Sequence, residues 1–197
     1  LYLVVVGQFL FHFLPSHYLV LNSSWPENTD FANYWSAARL ALNGQTNILF
    51  NPELFVSVQK SFLGSDILYQ NVWSYPPHFL PLIIGFGLMP FRLAFLLWIG
   101  ATFALYALAI TYNRPSGWNL AAGLALAPAS FINVLYGQNG FLIAACFIGG
   151  LRLLNKRPAF AGILFGLMTV KPQMALLLPV IFLSSTHVRA FVATSFT

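Results

Sequence analysis

Four short stretches of this sequence carry side chains able to do chemistry: Asp30, Trp73-Ser-Tyr-Pro-Pro-His78, Tyr136-Gly-Gln-Asn139 and Lys171-Pro-Gln173. A carboxylate at Asp30 can accept a proton as a general base. It also reads as the N-cap of the helix that follows, and one position can serve both ends. Lys171 is the only charge between Arg157 and Arg189. An ammonium there can hold a phosphate or simply anchor a side chain at a membrane edge. Gln138 and Asn139 offer amide donors and acceptors for a sugar or phosphate, or they terminate a helix. His78 follows Pro-Pro and is either structural or a phosphate-binding imidazole. Arg39 lies on the far side of the helix from Asp30 and is expected to face water or headgroups rather than pair with it.

Other familiar chemistries have no signature here. His12, His17, His78 and His187 show no metal-ligand spacing with acids or with the single cysteine, Cys146, which sits inside an apolar run. There is no Walker A, dinucleotide-binding or G-x-S-x-G pattern, which points away from soluble nucleotide-dependent chemistry. Asn22-Ser-Ser24 matches a glycosylation sequon, too near a candidate span to carry weight.

The elements that must position these groups belong to a membrane protein. Of the 197 residues 58% are hydrophobic and only 7% charged, against ~25% charged in soluble domains. Stretches free of Asp, Glu, Lys and Arg run 1–26, 67–91, 93–113, 115–151 and 172–188, and most could supply a span of ~20 residues. This composition excludes a soluble globule, a disordered chain, a coiled coil and a disulfide scaffold. The expected fold class is an all-α polytopic membrane protein, residues 1–197 forming a single transmembrane domain. The four acids (Glu27, Asp30, Glu53, Asp66) precede residue 67, and seven bases follow with no acid. The +5 net charge therefore reads as a topology signal, not a nucleic-acid patch.

Span one is expected at 1–20, running inside to outside, without the A-x-A site of a signal peptide. An outer loop, 21–91, then carries two short helices lying flat at the membrane surface. The first runs Phe31–Asn43 and ends at Gly44, with Phe31, Tyr34, Trp35, Ala38 and Leu42 on its apolar stripe. The second has Asn51 as N-cap, Pro52 at its first position, Glu53 in the first turn, Lys60 in the last and Gly64 as terminator. Its expected apolar face is Leu54, Phe55, Val58 and Phe62. Residues 79–91 are short and proline-rich. Treating them as re-entrant puts Arg114, Arg152, Lys156, Arg157 and Arg189 all inside, whereas treating them as a span puts Arg114 and the 152–157 cluster outside. The remaining spans are expected at 93–112, 118–136, 140–153, 159–170 and 173–187, with Gly162-x-x-x-Gly166 as a close-packing pair. The four chemical stretches then share the outer membrane level, where an isolated charge usually serves a purpose.

The ordered set Asp30-Phe-Ala-Asn-Tyr-Trp-Ser-Ala-Ala-Arg-Leu-Ala-Leu-Asn-Gly44, Trp73-Ser-Tyr-Pro-Pro, Tyr136-Gly-Gln-Asn139 and Ala161-Gly…Lys171 resembles the GT-C membrane glycosyltransferases, most closely glycosyltransferase family 87. Members are about twice this long, so the chain reads as an N-terminal portion. The resemblance implies a GT-C-like helical bundle in the plasma (inner) membrane, multi-pass, with its active site on the outer face. It implies transfer of a hexose, most simply mannose, from a polyprenyl-phosphate donor to an envelope glycolipid or glycan. Asp30 matches the family's catalytic aspartate, and Lys171 would offset charge on the leaving phosphate. Tyr34 and Trp35 stand where the family often has Tyr-Tyr and would stack on sugar. Tyr75, His78, Gln138, Asn139 and Gln173 complete the implied substrate-binding set. No cofactor, metal or nucleic-acid partner is implied; membrane lipid, donor and acceptor are. Two other classes fit the composition: a secondary transporter coupling Asp30 to Lys171, and a non-catalytic membrane scaffold. Against the transporter, the acids sit at the membrane edge and no matching pair of broken spans is visible.

Overall fold

In the computed structural model, which describes residues 30–64, 72–112, 117–176, 178, 182 and 188–197, every regular element is helical. The expected span at 1–20, the sequon, His12, His17, His187 and most of the expected span at 173–187 lie outside the described residues. The chain divides into two compact units, each built from three stretches. The first takes the described residues up to Trp73, with Ile83–Leu97 and Ala122–Gln138; the second takes Ser74–Leu82, Trp98–Ala121 and the described residues from Asn139 onward.

The first unit is organised around helix α1, Asp30–Leu42. Gly44, at φ 69°, closes it: Gln45 N–H reaches the Leu40 carbonyl and Gly44 N–H that of Ala41, satisfying two otherwise orphaned acceptors. Nine of its thirteen residues are buried, including Asn33 and Ser36 on the side opposite the aromatics. This corrects the expectation of a surface-lying helix, which needs a polar face in water or headgroups. Phe31 is the hub, with Tyr34, Phe86, Phe91 and Phe95 ring centroids 5.6–6.2 Å away. The Phe91 pair is tilted and the other three are edge-on, and such aromatic pairs each add ~0.5–1.5 kcal/mol beyond the area they bury. Arg39 is half-buried, its guanidinium 4.9 Å from the Trp35 ring centroid and 5.3 Å from that of Phe62.

Helix α2, Pro52–Leu63, forms as its caps dictate: the Asn51 side chain accepts from Leu54 N–H at 3.1 Å, and Gly64 takes the left-handed conformation. Its inner face is centred on Phe55 and Gln59, both fully buried, whereas Leu54 of the expected face is 52% exposed. Gln59 Nε2 donates to Asn33 Oδ1, and Asn33 Nδ2 to the Val72 carbonyl, tying α2 and the following loop to α1.

Residues Pro77–Phe79, Leu80–Ile83 and Ile84–Leu88 form consecutive short turns of helix. Pro77–Leu88 is apolar but too short to cross ~30 Å of hydrocarbon. Helix α3, Phe91–Thr111, has 21 residues and a length of about 31 Å, enough to cross it. Leu93, Leu96, Leu97, Leu105 and Leu108 are each 43–66% exposed, an apolar surface of the kind that lipid or another protein surface covers. Thr102 and Thr111 return their hydroxyls to Trp98 and Ala107 carbonyls within the helix.

The span expected at 118–136 is instead two helices, α4 (Gly117–Ala125) and α5 (Pro128–Tyr136). Pro128 lacks an N–H, and its ring excludes the carbonyl four residues back, that of Leu124. That carbonyl is taken by Ser130 Oγ at 2.6 Å and Ala127 N–H at 3.1 Å. Helix α6, Gly140–Leu153, keeps the expected bounds, and helix α7, Pro158–Leu167, continues through the 3-10 turn Met168–Val170. Both are shorter than a straight span; among the described residues only α3 is long and apolar enough to cross alone. In the second unit, Gly150 of α6 accepts the Phe165 ring of α7, and Gly162 and Gly166 meet Ala190, Ala193 and Thr197 in and after helix α8, Val188–Ser195. The small-residue pair therefore works as its spacing predicts, with Thr194 Oγ1 also donating to the Gly162 carbonyl.

Candidate functional site

In the first unit the turn Tyr136–Gln138 packs against Phe31, the residue after the sequence-predicted carboxylate. Helix α5 ends on Gly137, at φ 63°; Gln138 N–H reaches the Asn133 carbonyl and Gly137 N–H that of Val134. A Cβ at Gly137 would lie 2.6 Å from Phe31 Cβ and 2.9 Å from the Phe95 ring. Only glycine combines the left-handed backbone with that approach. The turn Tyr136–Gln138 is thereby pressed against the start of α1, whose first residue is Asp30. Asp30 and Gln138 are both half-buried. Asp30 falls inside the first turn rather than at the cap position before it. The helix N-terminus favours a negative charge there.

Tyr34 and Trp35 do not join this group as open stacking platforms. They are 1% and 4% exposed. Trp35 Nε1 donates to the Met89 carbonyl at 3.0 Å, and its ring meets Phe62 and Phe91 edge-on. Both rings are spent on the core of the unit, which corrects their expected sugar-stacking role.

The second unit gathers another set. Backbone at Lys171 is extended, and Pro172 opens a single turn, Pro172–Ala175. Lys171 and Gln173 share the wall of a cavity of about 430 Å³ with Gly140, Ile143, Phe147 and Met168. The cavity is apolar apart from those two side chains, and its size lies within the ~300–1,000 Å³ range of ligand pockets. Asn139, immediately before α6, is fully buried, and neither Oδ1 nor Nδ2 has a hydrogen-bond partner among the described residues. Burying such a group unpaired costs ~1–3 kcal/mol. His78 Nε2 lies 3.1 Å from Thr169 Oγ1, which also donates to the Gly166 carbonyl. The imidazole is thus fastened two residues from Lys171. The half-buried Tyr75 ring packs on Phe79 at 5.0 Å.

Sequence reasoning missed Thr169, Asn33 and Gln59. An isolated hydroxyl in the apolar run before Lys171 was the available signal for the first. The other two carried none, because Asn33 and Gln59 find each other across 26 residues. Among the described residues no three His, Cys, Asp or Glu side chains gather closely enough to hold a metal ion.

The described residues thus form an all-helical protein with one helix long and apolar enough to cross a membrane. The chain matches the sequence model of glycosyltransferase family 87 over residues 73–197, and it belongs to that family of membrane glycosyltransferases. No curated protein and no solved structure matches it. The matched region contains Tyr75, His78, Gln138, Asn139, Lys171 and Gln173, while Asp30 lies ahead of it.

Proposed function

We propose that this protein transfers a hexose, most simply mannose, from a polyprenyl-phosphate donor to an envelope glycolipid or glycan at the outer face of the plasma membrane. The observation that carries the reading is the cavity bounded by Lys171 and Gln173. One cation and one amide stand at the edge of an otherwise apolar space, complementary to a ligand with an anionic head and a hydrocarbon body. In the reaction, Asp30 takes the proton of the acceptor hydroxyl while that oxygen attacks the anomeric carbon. The bond from that carbon to the phosphate oxygen breaks, and polyprenyl phosphate leaves as an anion beside Lys171. Gln138, Gln173 and His78 supply hydrogen bonds to sugar or phosphate, Tyr75 an aromatic edge, while Asn139, fully buried, stands behind them rather than on the substrate. The donor is already activated by its phosphate, so no cofactor or metal is assigned. Membrane lipid, donor and acceptor are the partners, and no nucleic acid is involved.

The donor class is tested with purified full-length protein in lipid vesicles. Transfer is expected from radiolabelled polyprenyl-phosphate mannose and not from a nucleotide sugar; transfer from the nucleotide sugar alone would refute the reading. Its placement at the outer face is tested by cysteine labelling in a Cys146→Ala background. Ser57 and Asn155 are both exposed. An impermeant maleimide is expected to label Ser57→Cys on intact cells, and Asn155→Cys only after permeabilisation. The reverse pattern would invert the topology.

A further inference from the structure

A second cavity, of about 240 Å³, lies between the C-terminal ends of α3 and α6 and the N-terminal end of α7. It is lined by Leu108, Tyr112, Gly149, Arg152, Arg157 and Phe160, among others. Helix α7 separates it from Lys171, which follows the other end of that helix. Its apolar walls are open to the surroundings: Leu108 is 58% exposed and Phe160 51%. Arg152 Nη1 donates to the Tyr112 carbonyl at 2.6 Å, which fixes that guanidinium where α3 ends and its carbonyls need donors. Arg157 stands exposed in the turn before α7.

The charge around this cavity is one-sided. All four acids of the sequence lie at or before Asp66, so no stretch of the second unit contains Asp or Glu. Two guanidinium groups thus sit beside an apolar groove with no Asp or Glu in their own unit. The planar guanidinium fork suits the paired oxygens of a phosphate better than a lysine ammonium does. A free phosphate would leave the apolar walls unused, and a zwitterionic lipid brings its own cation. We propose that this cavity binds an anionic phospholipid of the bilayer, its phosphate on Arg152 and Arg157 and its upper acyl chain along Leu108 and Phe160. Basic pockets between membrane helices commonly serve this purpose. If the arginines merely set topology, any base in the turn would do as well. Lys156, exposed in the same turn but outside the cavity lining, is therefore the internal control.

The test uses full-length protein in nanodiscs holding a minority of dioleoylphosphatidylglycerol in dioleoylphosphatidylcholine, with lipid retained after detergent extraction measured by mass spectrometry. Wild type is expected to retain phosphatidylglycerol preferentially. Arg157→Gln should cut that retention about five-fold, Arg157→Lys less, and Lys156→Gln by under about two-fold. Arg157 is exposed and its backbone N–H keeps the Leu153 carbonyl in either variant, so the fold is not at stake. Equal losses for Arg157→Gln and Lys156→Gln would reduce the effect to diffuse surface charge and overturn the proposal. Displacement by millimolar inorganic phosphate would make it a free-anion site and overturn it as well. A second measurement keeps both arginines: in Phe160→Trp, brominated phosphatidylglycerol should quench the added fluorescence more than brominated phosphatidylcholine at equal mole fraction. Equal quenching would count against the proposal independently.

Discussion

Replacing Asp30 by Asn in the full-length protein is expected to lower turnover by ~10²–10⁴-fold, the usual cost of removing a general base. The substitution preserves size and leaves the α1 start able to hydrogen-bond, so the Phe31–Gly137 contact that seats the turn Tyr136–Gln138 should survive. A merely structural Asp30 would behave differently. A carboxylate in the first turn of a helix contributes ~0.3–1 kcal/mol through the helix dipole, so its loss would lower the melting temperature slightly and leave turnover per folded molecule unchanged. Measuring both quantities on one preparation separates the two roles. Asp30→Glu should retain part of the activity, because the carboxylate remains but is displaced by a methylene. Retention of most activity by Asp30→Asn would remove Asp30 from the chemistry and leave it as a helix-terminus charge.

Asp30 also illustrates what the sequence could and could not convey. Its helix was legible from Gly44 and the apolar stripe before it, and α2 still more so from Asn51, Pro52 and Gly64, because caps are local. The break at Pro128 rests on an equally local rule, yet hydropathy alone runs straight through it. The burial of α1 on all sides was not legible. Periodicity identifies one apolar face, whereas Asn33 is buried on another face by a hydrogen bond from Gln59, supplied by a different helix. The same distinction governs the candidate site. Lys171 before Pro172 reads as an exposed cation at a helix break from neighbouring residues alone. The approach of Tyr136–Gln138 to α1 depends on Gly137 tolerating both a left-handed backbone and a ring at van der Waals distance. The pairing of His78 with Thr169 spans 91 residues. Tyr34 and Trp35 mark the converse error: an aromatic pair beside a catalytic candidate suggests sugar stacking, but aromatics are also the largest contributors to a core, and here the core takes them.

Lys171→Ala is expected to reduce use of a polyprenyl-phosphate donor by roughly 10- to 150-fold, since a hydrogen bond to a charged group contributes ~1.5–3 kcal/mol. The local structure explains why this ammonium is placed where a phosphate could meet it. The 3-10 turn Met168–Val170 ends α7, Lys171 is extended, and Pro172 prevents the helix from simply continuing. The side chain consequently borders the cavity with Gln173 instead of lying along a helix surface. Lys171→Arg should recover part of the loss, because the charge persists while the donor geometry changes. An anchoring lysine makes the opposite forecast: Lys171→Ala would lower expression or stability, and turnover per folded molecule would stay near wild type. The discriminating measurement is turnover across a range of donor concentrations. If Lys171 binds the donor phosphate equally in ground and transition states, the loss appears in KM; if it meets the charge that develops on departure, it appears in kcat. Unchanged turnover at sub-saturating donor would exclude Lys171 from the site, whatever the outcome at Asp30.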